Sequence, residues 1–162
     1  MDKIISLSAF GDIIKPQSDT HKSSKSKETV FSEDNKFNYI FKMLLQNSAQ
    51  AKLLHWQSAL YGQHKALDEF WNSFNELSDG LAESIMGKYG KPVLGDEDLK
   101  LCLMNFENPK EGDLSDFMGH LTKCYSIDCK SIFNENTDVE LLNIIDEIIA
   151  LIEQTKYLLS LR

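Results

Sequence analysis

One stretch of the chain, residues 55–83, contains two histidines and three carboxylates at spacings that suit metal binding. If this stretch forms a helix, residues four apart lie on the same face. His64 and Asp68 form one such pair, and Asp79 and Glu83 form another. Imidazole and carboxylate groups are the ligands that proteins offer to Fe(II), Zn(II) and Mn(II). The spacing therefore predicts a metal site.

The two pairs lie too far apart to bind one ion within a single chain. Asp68 and Asp79 are 11 positions apart, which is about three helical turns, or roughly 16 Å along the axis. A second copy of the helix, running antiparallel about a two-fold axis near residues 71–75, would bring the His64 pair of one chain against the Asp79 pair of the other. We therefore expect the site to lie between subunits.

A second imidazole comes from the preceding helix. His55 is in phase with Phe37, Phe41 and Leu44, which predicts that it faces inward. The predicted metal ligands are thus His55, His64, Asp68, Asp79 and Glu83. The alternative is that the inward histidine is an ordinary core residue and that the carboxylates form a solvated helix face.

These residues carry a resemblance to a known family. The sequence reads His55-Trp56, then Gly62, then His64-x3-Asp68, then Asp79-x3-Glu83. This pattern resembles the Dps-like ferritins, mini-ferritins of the ferritin-like superfamily that form shells and oxidise iron. The resemblance covers roughly residues 36–162. It implies a ferritin-like four-helix bundle, two-fold dimers assembled into a larger shell, and ferroxidase-type oxidation of Fe(II) at intersubunit sites, with zinc or manganese as other metals that suit the ligands.

In that comparison, His55, His64 and Asp68 come from one chain, and Asp79 and Glu83 come from its partner. The chain departs from the cellular members in the interval from His55 to His64, which is three residues shorter. This shorter interval is similar to that of divergent members carried by phages and other viruses.

The composition indicates one domain preceded by a tail. The chain has 162 residues, of which 42% are apolar and 26% are charged, enough for a substantial core. No run is long enough to cross a membrane. The three cysteines, Cys102, Cys124 and Cys129, are odd in number and lack C-x2-C spacing. This favours free thiols in a reducing interior. The resemblance to members carried by viruses then implies a bacterial or host cytoplasm, with association with a virion as a further option.

The charge balance argues against DNA binding. The net charge is −8 and the pI is about 5.0, whereas DNA affinity depends on neutralising phosphates. Residues 1–34 are predicted to be a flexible tail, and its five lysines are outnumbered by six acids. The apolar segment 4–14 could instead dock on a partner.

Hydrophobic periodicity predicts four helices, at about 35–60, 63–86, 114–133 and 137–159. Gly62 is predicted to form the first turn, and Thr137 and Glu140 to form a capping box for the last helix. The connection 91–112 is the long crossover of such a bundle and could hold a short helix at 98–106. The family resemblance places four crossover residues at a dimer interface: Leu99, Leu101, Leu103 and Met104.

The third predicted helix has no Glu-x-x-His motif, so a di-iron site within one chain is not expected there. We expect His120 to be a packing or surface residue. Two functions from different classes follow from the sequence. The first is a Dps-like ferritin that binds and oxidises Fe(II) for iron storage or oxidative protection. The second is a non-enzymatic structural or interaction protein on the same bundle, such as a viral assembly component.

Overall fold

Four stretches with helical periodicity form α-helices in the computed structural model, which describes residues 33–96 and 99–161, with side chains from residue 37 onward. The helices are α1 (Glu33–Gln57), α2 (Tyr61–Tyr89), α3 (Glu111–Lys123) and α4 (Val139–Ser160). No β-strand occurs in these residues. The predicted all-α four-helix bundle is confirmed. Most of the predicted tail, residues 1–32, lies outside the described residues, and positions 33 and 34 belong to α1.

Each helix buries one apolar face in a common core. Side chains three and four positions apart share a helix face, so a stripe of large apolar residues turns inward on every helix. Helix α2 packs against both α1 and α4. The most completely buried of these side chains include Ile40, Met43, Leu54, Leu67, Phe70, Phe74, Leu81, Ile85, Leu114 and Phe117. Removal of these groups from water is the main force that holds the helices together.

The turns that bound α2 differ from those predicted. Only residues 58–60 separate α1 from α2, so the two helices must run antiparallel. Gly62 lies inside α2 and is not the turn residue. At the other end the helix continues through Gly87 and stops at Gly90, whose φ of 91° favours glycine over other residues.

The long connection between α2 and α3 runs beside α1. Its early part is tied to the start of α1, where Asn38 donates a hydrogen bond to the carbonyl of Val93. Its late part reaches the end of α1, where the N–H of Ala59 donates to Asn108. We call residues 99–108 the strap. The connection therefore returns the chain from one end of the bundle to the other, as the predicted crossover requires.

The strap is held by glutamine side chains of α1. The Gln46 amide donates to the Cys102 carbonyl (2.6 Å) and accepts from the Cys102 N–H (2.9 Å). Gln50 makes the same two bonds with Met104, at 3.0 and 2.7 Å. Four helical residues rise about 6 Å, and two extended residues span about 6.6 Å. Glutamines one turn apart therefore match alternate residues of an extended strap.

This pairing explains why the predicted short helix at 98–106 is wrong over its described part, residues 99–106, which contains no helix. The main-chain groups that a helix would use are bonded to Gln46 and Gln50 instead. Met104 is buried in the core of its own chain and is not available to a partner. Leu99, Leu101 and Leu103 are exposed, and their place at a dimer interface remains a prediction.

The third predicted helix, 114–133, is not one regular α-helix. After α3 the chain forms a π-helical turn, Cys124–Cys129, and then a 3-10 turn, Lys130–Ile132. Both cysteines and Tyr125 are buried, and the Tyr125 hydroxyl accepts a hydrogen bond from Asn47 of α1. The wider π turn, in which positions five apart come to one side, lets these three side chains enter the core together.

Ion pairs and hydrogen bonds join the start of α4 to the end of α2. The Lys88 ammonium lies 2.7 Å from carboxylate oxygens of both Asp138 and Glu140. The Tyr89 hydroxyl also donates to Asp138, which accepts the Asn134 N–H at 2.8 Å. The predicted capping box is therefore wrong, because α4 begins after Asp138 without a side-chain cap and its Glu140 carboxylate pairs with Lys88.

Asp138 is expected to make the fold sensitive to acid. Burial alone would raise the pKa of its carboxyl group, but hydrogen bonds from Lys88, Tyr89 and the Asn134 N–H outweigh burial and lower the pKa from 3.8 to about 2. A group with a lowered native pKa stabilises the fold above its unfolded pKa, and this contribution is lost as the pH falls toward the native pKa. Asp138→Asn should therefore lower the melting temperature at neutral pH and reduce its fall between about pH 4 and pH 2.

The matched control is Asp116→Asn, which changes an exposed aspartate on α3. We expect it to leave the melting curve and its pH dependence nearly unchanged. If the two variants behaved alike between neutral pH and pH 2, the Asp138 cluster would not contribute to stability.

Within residues 33–96 and 99–161, none of the helices combines the length and apolar character needed to span a bilayer.

Candidate metal site

The two predicted histidine ligands meet at the turn between the first two helices. His55 lies in the last turn of α1, and His64 lies in the first turns of α2. The imidazole rings pack with their centroids 4.1 Å apart and their planes 31° apart. His55 is buried, as its helical phase predicts. The short interval between the histidines thus places the two rings in contact.

Reciprocal hydrogen bonds orient both rings. His55 Nδ1 lies 3.1 Å from the His64 carbonyl oxygen, and His64 Nδ1 lies 3.0 Å from the His55 carbonyl oxygen. A carbonyl oxygen only accepts, so each Nδ1 must carry a proton and donate it. In the neutral ring, the lone pair is then on Nε2. A histidine that binds metal through Nε2 commonly donates its other N–H in this way.

The His55 Nε2 atom faces a carboxylate. It lies 3.6 Å from Asp68 Oδ1, which is longer than a normal N–H···O hydrogen bond. Two ligand atoms that each bind one metal at roughly 2.1 Å stand about 3.0 to 3.5 Å apart. The separation is therefore close to what a shared metal ion requires. Asp68 is half-buried, so one of its sides remains open to water.

Two lysines near Asp68 were not predicted. Lys52 Nζ lies 4.0 Å from Asp68 Oδ1 and 3.7 Å from the centre of the Trp71 ring. Lys65 Nζ lies 4.0 Å from Asp68 Oδ2. Lys52 lies three positions before His55 and so shares its helix face, which could have indicated a cation on this side of α1. Its contact with Trp71 depends on how α1 packs against α2.

The other predicted ligands do not join this cluster in one chain. Asp79 and Glu83 are exposed on α2, three turns beyond Asp68. In the part of the chain that the structure describes, no group of three or more histidine, cysteine, aspartate or glutamate side chains is placed to hold a metal ion. A single chain therefore presents two histidines in contact, with the Asp68 carboxylate near His55, and, separately, a pair of exposed carboxylates.

A further histidine, His120, lies beside the π turn. His120 Nε2 lies 3.2 Å from Cys124 Sγ. Burial lowers the pKa of His120 to about 4 and raises the pKa values of Cys124 and Cys129 to about 12. Both thiols are therefore protonated at neutral pH, whereas metal binding requires thiolate. This arrangement agrees with the expected packing role of His120.

Fold and site together define a helical-bundle protein with an imidazole–carboxylate cluster between its first two helices. The chain belongs to DUF5856, a family of unknown function whose model matches residues 55–159. The matched region begins at His55 and includes all five predicted ligands. No curated protein and no solved structure gives a significant match to the chain.

Proposed function

We propose that this protein is a Dps-like mini-ferritin that binds Fe(II) and oxidises it at sites shared by two subunits. In this proposal His55, His64 and Asp68 of one chain face the partner's Asp79 and Glu83. The observation that carries the proposal is the orientation of His55. Its Nδ1 is committed to a carbonyl oxygen, and its Nε2 lies 3.6 Å from Asp68 Oδ1.

The separation of the two predicted ligand pairs along α2 supports a site shared between two subunits. Among the residues that the structure describes, one chain offers too few converging ligands to hold an ion firmly. Asp79 and Glu83 are exposed and lie one turn apart, so they are free to approach a second molecule. A divalent ion between two subunits would reduce the repulsion between these two carboxylates. The exposed Trp56 and Leu45 lie on the outer face of α1 and offer apolar area for such contact.

In the proposed reaction Fe(II) is the substrate and hydrogen peroxide is the oxidant. Two ferrous ions each lose one electron, and the two electrons cleave the O–O bond of one hydrogen peroxide molecule, which takes up two protons to give two waters. The role of the protein is to hold the ions near each other through imidazole and carboxylate ligands. The chain's net charge of −8 favours the accumulation of cations. Zinc or manganese could occupy the same ligands.

The proposed dimers would assemble further into a closed shell that retains the ferric product, in a bacterial or host cytoplasm or in association with a virion. The alternative is a structural bundle without iron chemistry. It is favoured by the single-chain geometry, in which Asp79 and Glu83 stand apart from the histidines.

Oxidation of Fe(II) by peroxide distinguishes the proposed mini-ferritin from the structural bundle. We expect rapid growth of ferric absorbance with the parent chain, and oxidation slower by about tenfold or more in His55→Ala and Glu83→Gln. His55→Ala removes the imidazole, and Glu83→Gln removes one acceptor-only carboxylate. The matched control is Glu147→Gln, the same change at an exposed position of α4, a different helix from the one that carries Glu83.

Equal rates in all four proteins, after subtraction of oxidation in buffer, would overturn the ferroxidase proposal and leave the structural bundle. A loss of rate in Glu147→Gln as large as that in Glu83→Gln would show that general negative charge, and not the predicted ligand set, governs the reaction.

A further inference from the structure

Lys52 occupies a defined place beside the pair formed by His55 and Asp68. Its ammonium nitrogen lies 3.7 Å from the centre of the Trp71 ring and 4.0 Å from Asp68 Oδ1. A cation at this distance from an indole face is attracted by the ring. The same ammonium is 5.9 Å from the Trp56 ring, toward the solvent-exposed side of α1. The lysine side chain is 23% exposed, so water screens these contacts only in part.

Lys65 provides an internal comparison. Its ammonium lies at the same 4.0 Å from the other oxygen of Asp68. However, its side chain is 47% exposed, and with the described aromatic residues it makes no ring contact like that between Lys52 and Trp71. Exposed ion pairs of this kind contribute little because both partners are solvated and mobile. Lys52 is therefore the cation that the fold holds in position.

We propose that the Lys52 ammonium is a resident cation of the metal site, which balances Asp68 in the metal-free protein and leaves when a divalent ion enters. This inference rests on the proposed metal-binding function. An ion bound to Asp68 Oδ1 at roughly 2.1 Å would lie at most about 6 Å from the ammonium in its present position. Repulsion between charges of +1 and +2 at that distance is worth about a tenfold change in affinity even in bulk water.

Lys52 has a route by which to leave. The end of its flexible chain can turn from Trp71 toward Trp56 and solvent, so the ring contact with Trp71 is lost when the ion arrives. Lys52 thus acts as a specificity-determining residue: ions that bind imidazole and carboxylate strongly displace it, and weakly bound ions do not. It is not itself a metal ligand, because an ammonium group has no lone pair.

The test is a zinc titration of the full-length metal-free protein, since Zn(II) has no redox chemistry. We expect Lys52→Met to bind zinc about tenfold more tightly than the parent chain, and Lys65→Met to change the affinity much less. Lys52→Arg, which keeps the charge, should stay close to the parent. Lys52→Gln replaces Lys52→Met if the latter does not fold.

Tryptophan emission gives a second measurement. In a Trp56→Phe background, Trp71 is the single tryptophan. Zinc should change its emission when Lys52 is present, because the cation leaves the ring, and should have a much smaller effect in Trp56→Phe/Lys52→Met.

The outcomes separate this inference from the function on which it rests. Equal zinc affinity in the parent and Lys52→Met would overturn the role of Lys52 and leave the metal site standing. An equal gain in Lys52→Met and Lys65→Met would also overturn it, because net charge would then explain both. No zinc binding by any variant would overturn the metal site itself.

Discussion

A mixture of two defective variants is expected to bind Fe(II), although neither variant binds it alone. One variant is His64→Ala/Asp68→Ala, and the other is Asp79→Ala/Glu83→Ala. Each site in the proposed dimer combines the histidine side of one chain with the carboxylate pair of the other. A heterodimer of the two variants therefore contains one site with every ligand intact and one site with both halves damaged.

The experiment requires tagged chains, so that heterodimers can be isolated before metal binding is measured by calorimetry. Each homodimer should show no tight binding, and the heterodimer should recover one site. The control is Asp116→Ala/Glu147→Ala, which removes two exposed carboxylates from α3 and α4 and should bind as the parent does. Absence of binding in verified heterodimers would exclude the shared site.

Gln50→Leu is expected to destabilise the bundle by about 3 kcal/mol, because a buried main-chain N–H and C=O each lose their partner. Gln50 is fully buried, and both of its bonds go to Met104, which is also buried. Gln46→Leu should cost less, about 1 to 2 kcal/mol, because its partner Cys102 is exposed and water can replace the amide. Domains of this kind have only about 5 to 15 kcal/mol of stability in total.

Urea unfolding provides the measurement, with the slope checked so that the midpoints can be compared. The matched control is Gln154→Leu, at an exposed position of α4, which should change stability by less than about 0.5 kcal/mol. Equal values for Gln50→Leu and Gln154→Leu would show that the strap is not held by the α1 glutamines. Equal losses at Gln46 and Gln50 would contradict the argument from burial.

The strap and the predicted metal ligands are different parts of the same architecture. The strap fixes how the connection lies along α1, and α1 in turn carries Lys52 and His55. Weakening the strap should therefore lower stability without removing any metal ligand. Damage to the Asp79 and Glu83 pair should remove binding with little loss of stability, because both carboxylates are exposed.

The sequence by itself determined the presence of the four helices, the inward direction of His55 and the separation of the predicted ligands into two pairs. These features depend on local geometry, because helical periodicity relates positions three and four apart whatever surrounds them. The distance along α2 from Asp68 to Asp79 follows from the rise per residue alone. Local geometry therefore made the helices and their buried faces predictable. It does not fix where a helix stops, and the predicted ends of α1 and α2 differ from the observed ones by two or three residues.

The tertiary structure alone decided the contacts between elements distant in sequence. Whether residues 99–106 form a helix depended on the Gln46 and Gln50 amides, which bond the main-chain groups that a helix would use. The start of α4 depended on Lys88 of another helix, and the position of the Lys52 ammonium depended on Trp71. In each case a side chain contacts a group that lies 19 to 56 positions away in the sequence. Such partners are chosen by packing, since local propensity acts only on neighbours in the chain.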